Sequence, residues 1–99
     1  PQLKKEAERW HKFQADVELF ILYGKETVVK PDILLVDEKH TGTVFAIKHL
    51  PETNLNVVVR LVMETDREDR KNSVMTFYRI RERNLKKLME KNRLLYSRE

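Results

Sequence analysis

The sequence predicts an α+β domain: an N-terminal helix packed on a four-stranded antiparallel sheet, followed by a C-terminal helix and a short tail strand. Three observations predict it. Apolar residues recur at steps of three and four over residues 1–23, alternate with strand periodicity over residues 32–80, and return to the helical step over residues 81–92. The links between the alternating segments are of hairpin length, which demands antiparallel pairing, because parallel pairs need a long crossover. At 99 residues the chain has room for a single domain, 1–99.

Each element has its own signal. Leu3, Ala7, Trp10, Phe13, Val17, Phe20 and Ile21 form one helical stripe. Gly24 is the expected left-handed C-cap, and Lys30-Pro31 bars any continuation. Ile33–Asp37 is a short β-branched strand, and Asp37–Gly42 is turn chemistry closing a hairpin. Thr43–Leu50 is the second strand, Pro51–Leu55 a loop, and Asn56–Met63 the valine-rich third strand. Seven of the nine residues in Glu64–Asn72 are ionisable, so this connection is expected to project into water. Ser73–Ile80 is the fourth strand. Leu85, Leu88 and Met89 mark the helix Arg81–Asn92, with Asn92 as its C-cap, and Leu94–Ser97 supplies the tail strand. Both helices are expected on one face of the sheet.

Composition excludes much. The chain is 40% apolar and 36% charged, with two Gly and three Pro, so it is neither collagenous nor low-complexity. Its longest apolar run, Leu19–Tyr23, is far short of the ~20 residues of a membrane span. No secretory signal is recognisable, and the initial Pro fits either a removed initiator Met or a piece of a longer chain. With no Cys, disulfides, thiol catalysis and Cys-based metal centres are ruled out. No two His have metal-ligand spacing, and no glycine-rich phosphate loop or nucleophile elbow is present, so neither a metal nor a cofactor is expected. The net charge is +4 and unevenly spread. Residues 71–99 carry nine Lys/Arg against three Asp/Glu, while residues 1–70 carry eleven against thirteen. A basic third on a mildly acidic body suits a polyanionic partner.

Side chains alternate across a strand, so the large apolar residues select a core face: Phe45 and Ile47, Val57, Val59 and Leu61, Met75 and Phe77. Lys48, Arg60, Thr76 and Tyr78 are then left together on the open face. Arg offers a fork that matches a phosphate, Lys adds a point charge, and Tyr78 can stack on a base or donate a hydrogen bond. His11, on the first helix, and His40, at the hairpin tip, are candidate proton carriers; His49 points to the face opposite Lys48. These residue types suffice for metal-independent cleavage of RNA, in which the ribose 2′-hydroxyl attacks its own phosphate and the protein orients it and stabilises the phosphorane.

Several segments carry a resemblance: Lys30-Pro31-Asp32-Ile33-Leu34, Asn56-Val57-Val58-Val59, Asn72–Ile80 and Leu94-Leu95-Tyr96. Over residues 30–97 the chain resembles the phage-associated nuclease domains of the barnase–EndoU–colicin–RelE superfamily. The resemblance implies a toxin-like endoribonuclease of phage or mobile-element origin, cytoplasmic or phage-associated. Its substrate would be RNA, with tRNA as one candidate class, and an acidic inhibitor or immunity protein would be a second partner. It assigns Lys48, Arg60 and Thr76 to the concave sheet face, with His11 the nearest match to the upstream His of those domains. In this reading Lys48 and Arg60 stabilise the phosphate, Thr76 orients it, and His11 or Tyr78 moves protons. Arg79, Arg81, Arg83, Lys86 and Lys87 hold the RNA backbone. Two other readings fit the same residues: a non-catalytic nucleic-acid-binding module of a larger phage protein, and a protein-binding module whose basic helix docks on an acidic partner.

Overall fold

The computed structural model describes residues 2–61 and 73–98. The element order is α1 (Gln2–Val29), β1 (Ile33–Val36), β2 (Thr43–His49), β3 (Asn54–Arg60), β4 (Ser73–Ile80), α2 (Glu82–Lys91) and β5 (Arg93–Ser97). The α+β class holds. The sheet has five strands rather than four, because the tail strand joins it, in the order β4-β3-β2-β1-β5. Val62, Met63 and the charged connection Glu64–Asn72 lie outside the described residues.

The first helix is longer than expected. Gly24 is no cap but a regular helical residue, and the chain's positive-φ glycine is Gly42, at φ 84°, in the β1–β2 hairpin. The helix ends where Lys30 donates its amide to Glu26, at 2.7 Å, and Pro31 has no amide to give. Gly24 has a packing reason instead. A Cβ there would stand 2.7 Å from Cδ1 of Phe20, whose ring stacks on Phe77 of β4 at 4.2 Å. The missing side chain lets Phe20 lie close to the helix backbone and still reach the sheet.

The second correction concerns the faces. β2 is buried from Thr43 to Ile47, and β3 from Asn54 to Val59, on both sides. Leu50 donates to the Thr53 carbonyl at 2.8 Å, and this short link sets His49 opposite Asn54. It follows that Phe45 opposes Val58, while Ala46 opposes Val57. Two clusters result. Val44, Leu55, Val57 and Val59 pack under Leu19, Phe20 and Tyr23 of α1. Ile33, Leu35, Phe45, Ile47, Val58 and Ile80 pack under Leu85, Leu88 and Met89 of α2. The helices therefore cover opposite faces, contrary to the expectation of a single helical layer. Phe45 and Ile47 do not share a face with Val57 and Val59.

The C-terminal helix matches its expected range. Glu82 in its first turn and Lys91 in its last complement the helix dipole. Asn92 ends it with an extended backbone, and its side-chain amide donates to the Leu88 carbonyl at 2.9 Å. Its Oδ1 accepts the Glu38 amide at 3.0 Å, tying the β1–β2 hairpin to α2.

In an ordinary helix Gly→Ala gains about 1 kcal/mol of propensity. At position 24 the added methyl should instead displace Phe20 from Phe77, and an overpacking cost of about 1–3 kcal/mol should exceed that gain. Urea unfolding of Gly24→Ala is expected to show a lowered midpoint with the slope unchanged.

Candidate nucleic-acid interface

A groove of about 700 Å³ lies at the C-terminal end of β4, lined by Lys12 of α1, by Thr53, by Tyr78–Ile80 of β4, by Arg81, and by Asn84, Lys87, Leu88 and Lys91 of α2. Five of the lining residues are cations: Lys12, Arg79, Arg81, Lys87 and Lys91. No carboxylate is among them.

Each cation is positioned by the fold. Arg79 opposes Leu55, which belongs to the cluster beneath α1, and its Nε donates to Asp16 of α1 at 2.7 Å. Asp16 is 7% exposed, so this pair fastens α1 to β4 and also fixes where the guanidinium stands. Lys12 lies one turn before Asp16 on α1 and so faces the same groove. On α2, Asn84, Lys87 and Lys91 share a stripe at steps of three and four, while Leu85, 1% exposed, anchors the other side of the helix in the core.

One end of the groove is braced by a buried polar network. The Asn54 amide donates to the Ile80 carbonyl and to Glu82 Oε2, both at 3.1 Å. Its Oδ1 must then accept, so His49 Nδ1 donates to it, at 2.6 Å. The His49 amide in turn donates to Asp32 Oδ2 at 2.8 Å. This chain of contacts joins Asp32, just before β1, the β2–β3 hairpin and the first turn of α2, and Thr53 of the same hairpin lines the groove.

The expected site residues are only partly assembled. Arg60, Thr76 and Tyr78 do share a face. Thr76 opposes Val58, Tyr78 opposes Asn56, and a bulge at Met75 sets Ser73 opposite Arg60. Lys48 does not join them. It opposes Leu55, lies under α1, and pairs with Glu26 at 3.3 Å. The shared open platform of Lys48, Arg60, Thr76 and Tyr78 is therefore corrected: the strand register divides it between two faces, and each face carries a helix. Tyr78 lines the groove, but its hydroxyl accepts from Asn56 Nδ2 at 3.0 Å and its ring packs against the α2 cluster. His11 is exposed on α1 and His40 bonds Asp37 at 2.9 Å; neither lines the groove. Among the expected backbone-binding residues, Arg79, Arg81 and Lys87 line the groove, and Arg83 and Lys86 do not. Lys12 and Lys91 were missed. Lys91 was legible, since it continues the Asn84–Lys87 spacing. Lys12 carried no signal before the crossing of α1 over β4 was known. Among the described residues no cluster of His, Cys, Asp or Glu is suited to holding a metal ion, and no helix is long and apolar enough to cross a membrane.

Two carboxylates report on the frame. Burial pushes Asp32 up, but the His49 amide, Arg98 and the nearby charge of Lys48 outweigh it, leaving the group below the ordinary 3.8. Burial likewise raises Asp37, and His40 and the Lys39 amide outweigh it, again leaving the group below 3.8. As pH falls, the unfolded chain therefore takes up these protons first. Their contribution is complete above the unfolded value near 3.8 and is lost as pH drops through the lower folded values. Asp32→Asn should lower stability at neutral pH and flatten the acid decline, read as urea midpoints along a pH series.

Searches of protein-family models, of curated proteins and of solved structures found no match to this chain.

Proposed function

We propose that this domain binds RNA by its phosphate backbone in the groove between α1, the end of β4 and α2. The observation that carries the reading is the convergence of Lys12, Arg79, Arg81, Lys87 and Lys91, contributed by two helices, a strand and a connecting residue, on one concave surface without a lining carboxylate. Side chains that merely solubilise a surface have no reason to meet across three separate elements. Arg81 supplies a planar fork, Arg79 the guanidinium NH groups beyond the Nε that Asp16 holds, and Lys87, Lys91 and Lys12 supply point charges along the flanks. The choice of RNA among polyanions follows the expectation drawn from the sequence of residues 30–97. The proposal is one of binding, not of cleavage. Lys48, which the nuclease reading assigns to the phosphate, is paired with Glu26 on the face opposite Arg60, Thr76 and Tyr78.

Backbone binding releases counterions, so affinity should fall steeply as salt rises, with a slope of about 0.7–0.9 per phosphate neutralised. In anisotropy titrations of a labelled oligoribonucleotide in EDTA, Arg81→Ala and Lys87→Ala should each weaken binding and each lower the salt slope by about that amount. Lys48→Ala should leave both unchanged. RNA affinity indifferent to salt and to both groove variants would refute the reading. RNA fragments ending in a cyclic phosphate would add cleavage to it.

A further inference from the structure

We infer that the groove is one half of a longer cationic track that continues along the overhanging part of α1, and that its ligand is a single unpaired RNA strand bent round the β4 edge of the sheet. The inference rests on the backbone-binding reading and specifies the form of the nucleic acid.

The first observation is a change of character along one stripe of α1. Where the helix lies on the sheet, the stripe is Phe20, Tyr23 and the fully buried Thr27. At Asp16 it reaches Arg79. Beyond Asp16 the helix overhangs, and every residue from Leu3 to Gln14 is exposed. There the same stripe continues as Lys12, Arg9 and Lys5, at steps of three and four. At 1.5 Å per residue, Lys5 and Lys12 are about 10 Å apart along the axis, about as far as Asn84 is from Lys91 on α2. The track thus roughly doubles in length once α1 is included.

The second observation is where the two halves lie. α1 and α2 cover opposite faces of the sheet. The groove is lined by Lys12 from one and by Lys87 and Lys91 from the other, with Arg79 and Arg81 between them at the edge strand. A ligand that meets all these charges must pass from one face of the sheet to the other. A duplex is stiff on this scale, with a persistence length of about 150 base pairs for DNA. A single strand rotates freely about its backbone and can follow a bent cationic path, as strands do in other basic channels.

The test compares an unpaired oligouridylate with an RNA duplex of equal length, over a salt series, on the intact chain. Trp10 is the one Trp, is 58% exposed, and adjoins Arg9, so its emission reports on the overhang. The strand should bind about tenfold or more tighter than the duplex and should alter Trp10 emission. The double variant Lys5→Ala/Arg9→Ala should lower the strand's salt slope by about 1.4, at about 0.7 per contact. Both side chains are exposed, so its circular dichroism should be unchanged. Equal or tighter duplex binding overturns the inference, as does silent Trp10 emission at saturation. So does a slope insensitive to the double variant while Lys87→Ala still lowers it; this last outcome leaves the groove reading standing. Indifference to both variants removes the groove reading as well.

Discussion

The structure depends on one constraint: strands β2 and β3 are buried on both sides. Thr43–Ile47 and Asn54–Val59 are buried throughout, so neither face of the sheet can be left to water. An antiparallel sheet can ordinarily keep one wet face. Here it cannot, and a helix must cover each side. The long α1 covers Val44, Leu55, Val57 and Val59, and the short α2 covers Ile33, Leu35, Phe45, Ile47 and Ile80. The consequence for function is positional. With both faces of β2 and β3 covered, the middle of the sheet is closed to a ligand, and both helices overlook the sheet at the end of β4.

Arg79 has two tasks at that edge. Its bond to Asp16 is the polar fastening of α1 to β4, beside the Phe20–Phe77 stack. The same guanidinium lines the groove. Removing Asp16 would leave a cation next to a loosened helix, and removing Arg79 would leave a buried carboxylate without its partner, which is the costlier loss. The packing of α1 and the electrostatics of the groove are therefore coupled through one residue. The His49–Asn54–Glu82 network plays the matching part for α2, since it holds the helix's first turn to the β2–β3 hairpin.

Element types were legible in the sequence because periodicity is a local property. The helical steps of residues 1–23, the hairpin chemistry of Asp37–Gly42 and the return to helical spacing after Ile80 all correspond to observed elements. What was not legible is relational. Alternation says which residues of one strand share a face, but it does not say which face of the next strand they join. The link between β2 and β3 decides that, and it moved Lys48 away from Arg60. The bulge at Met75 similarly brought Ser73 to Arg60's side. Gly24 misled because a glycine near a helix end suggests a cap, whereas this one makes room for a ring four residues earlier. The basic character of α2 was plain, but dividing its cations between the groove stripe and the outer stripe required the spacing of Lys87 and Lys91. Lys12 emerged only from the crossing of α1 over β4.

The pairing of β1 with β5 has a consequence for synthesis on the ribosome. Ile33 meets Ser97, and Arg98 bonds Asp32 through both its amide, at 2.8 Å, and its side chain, at 3.2 Å. A nascent chain already carrying α1 and β1–β4 thus still presents an unsatisfied strand border at β1, the kind of border that recruits other chains. It closes only when residues 93–98 emerge. Closing the sheet in this protein is a long-range event, and until it happens the β1 border is open to pairing with other chains.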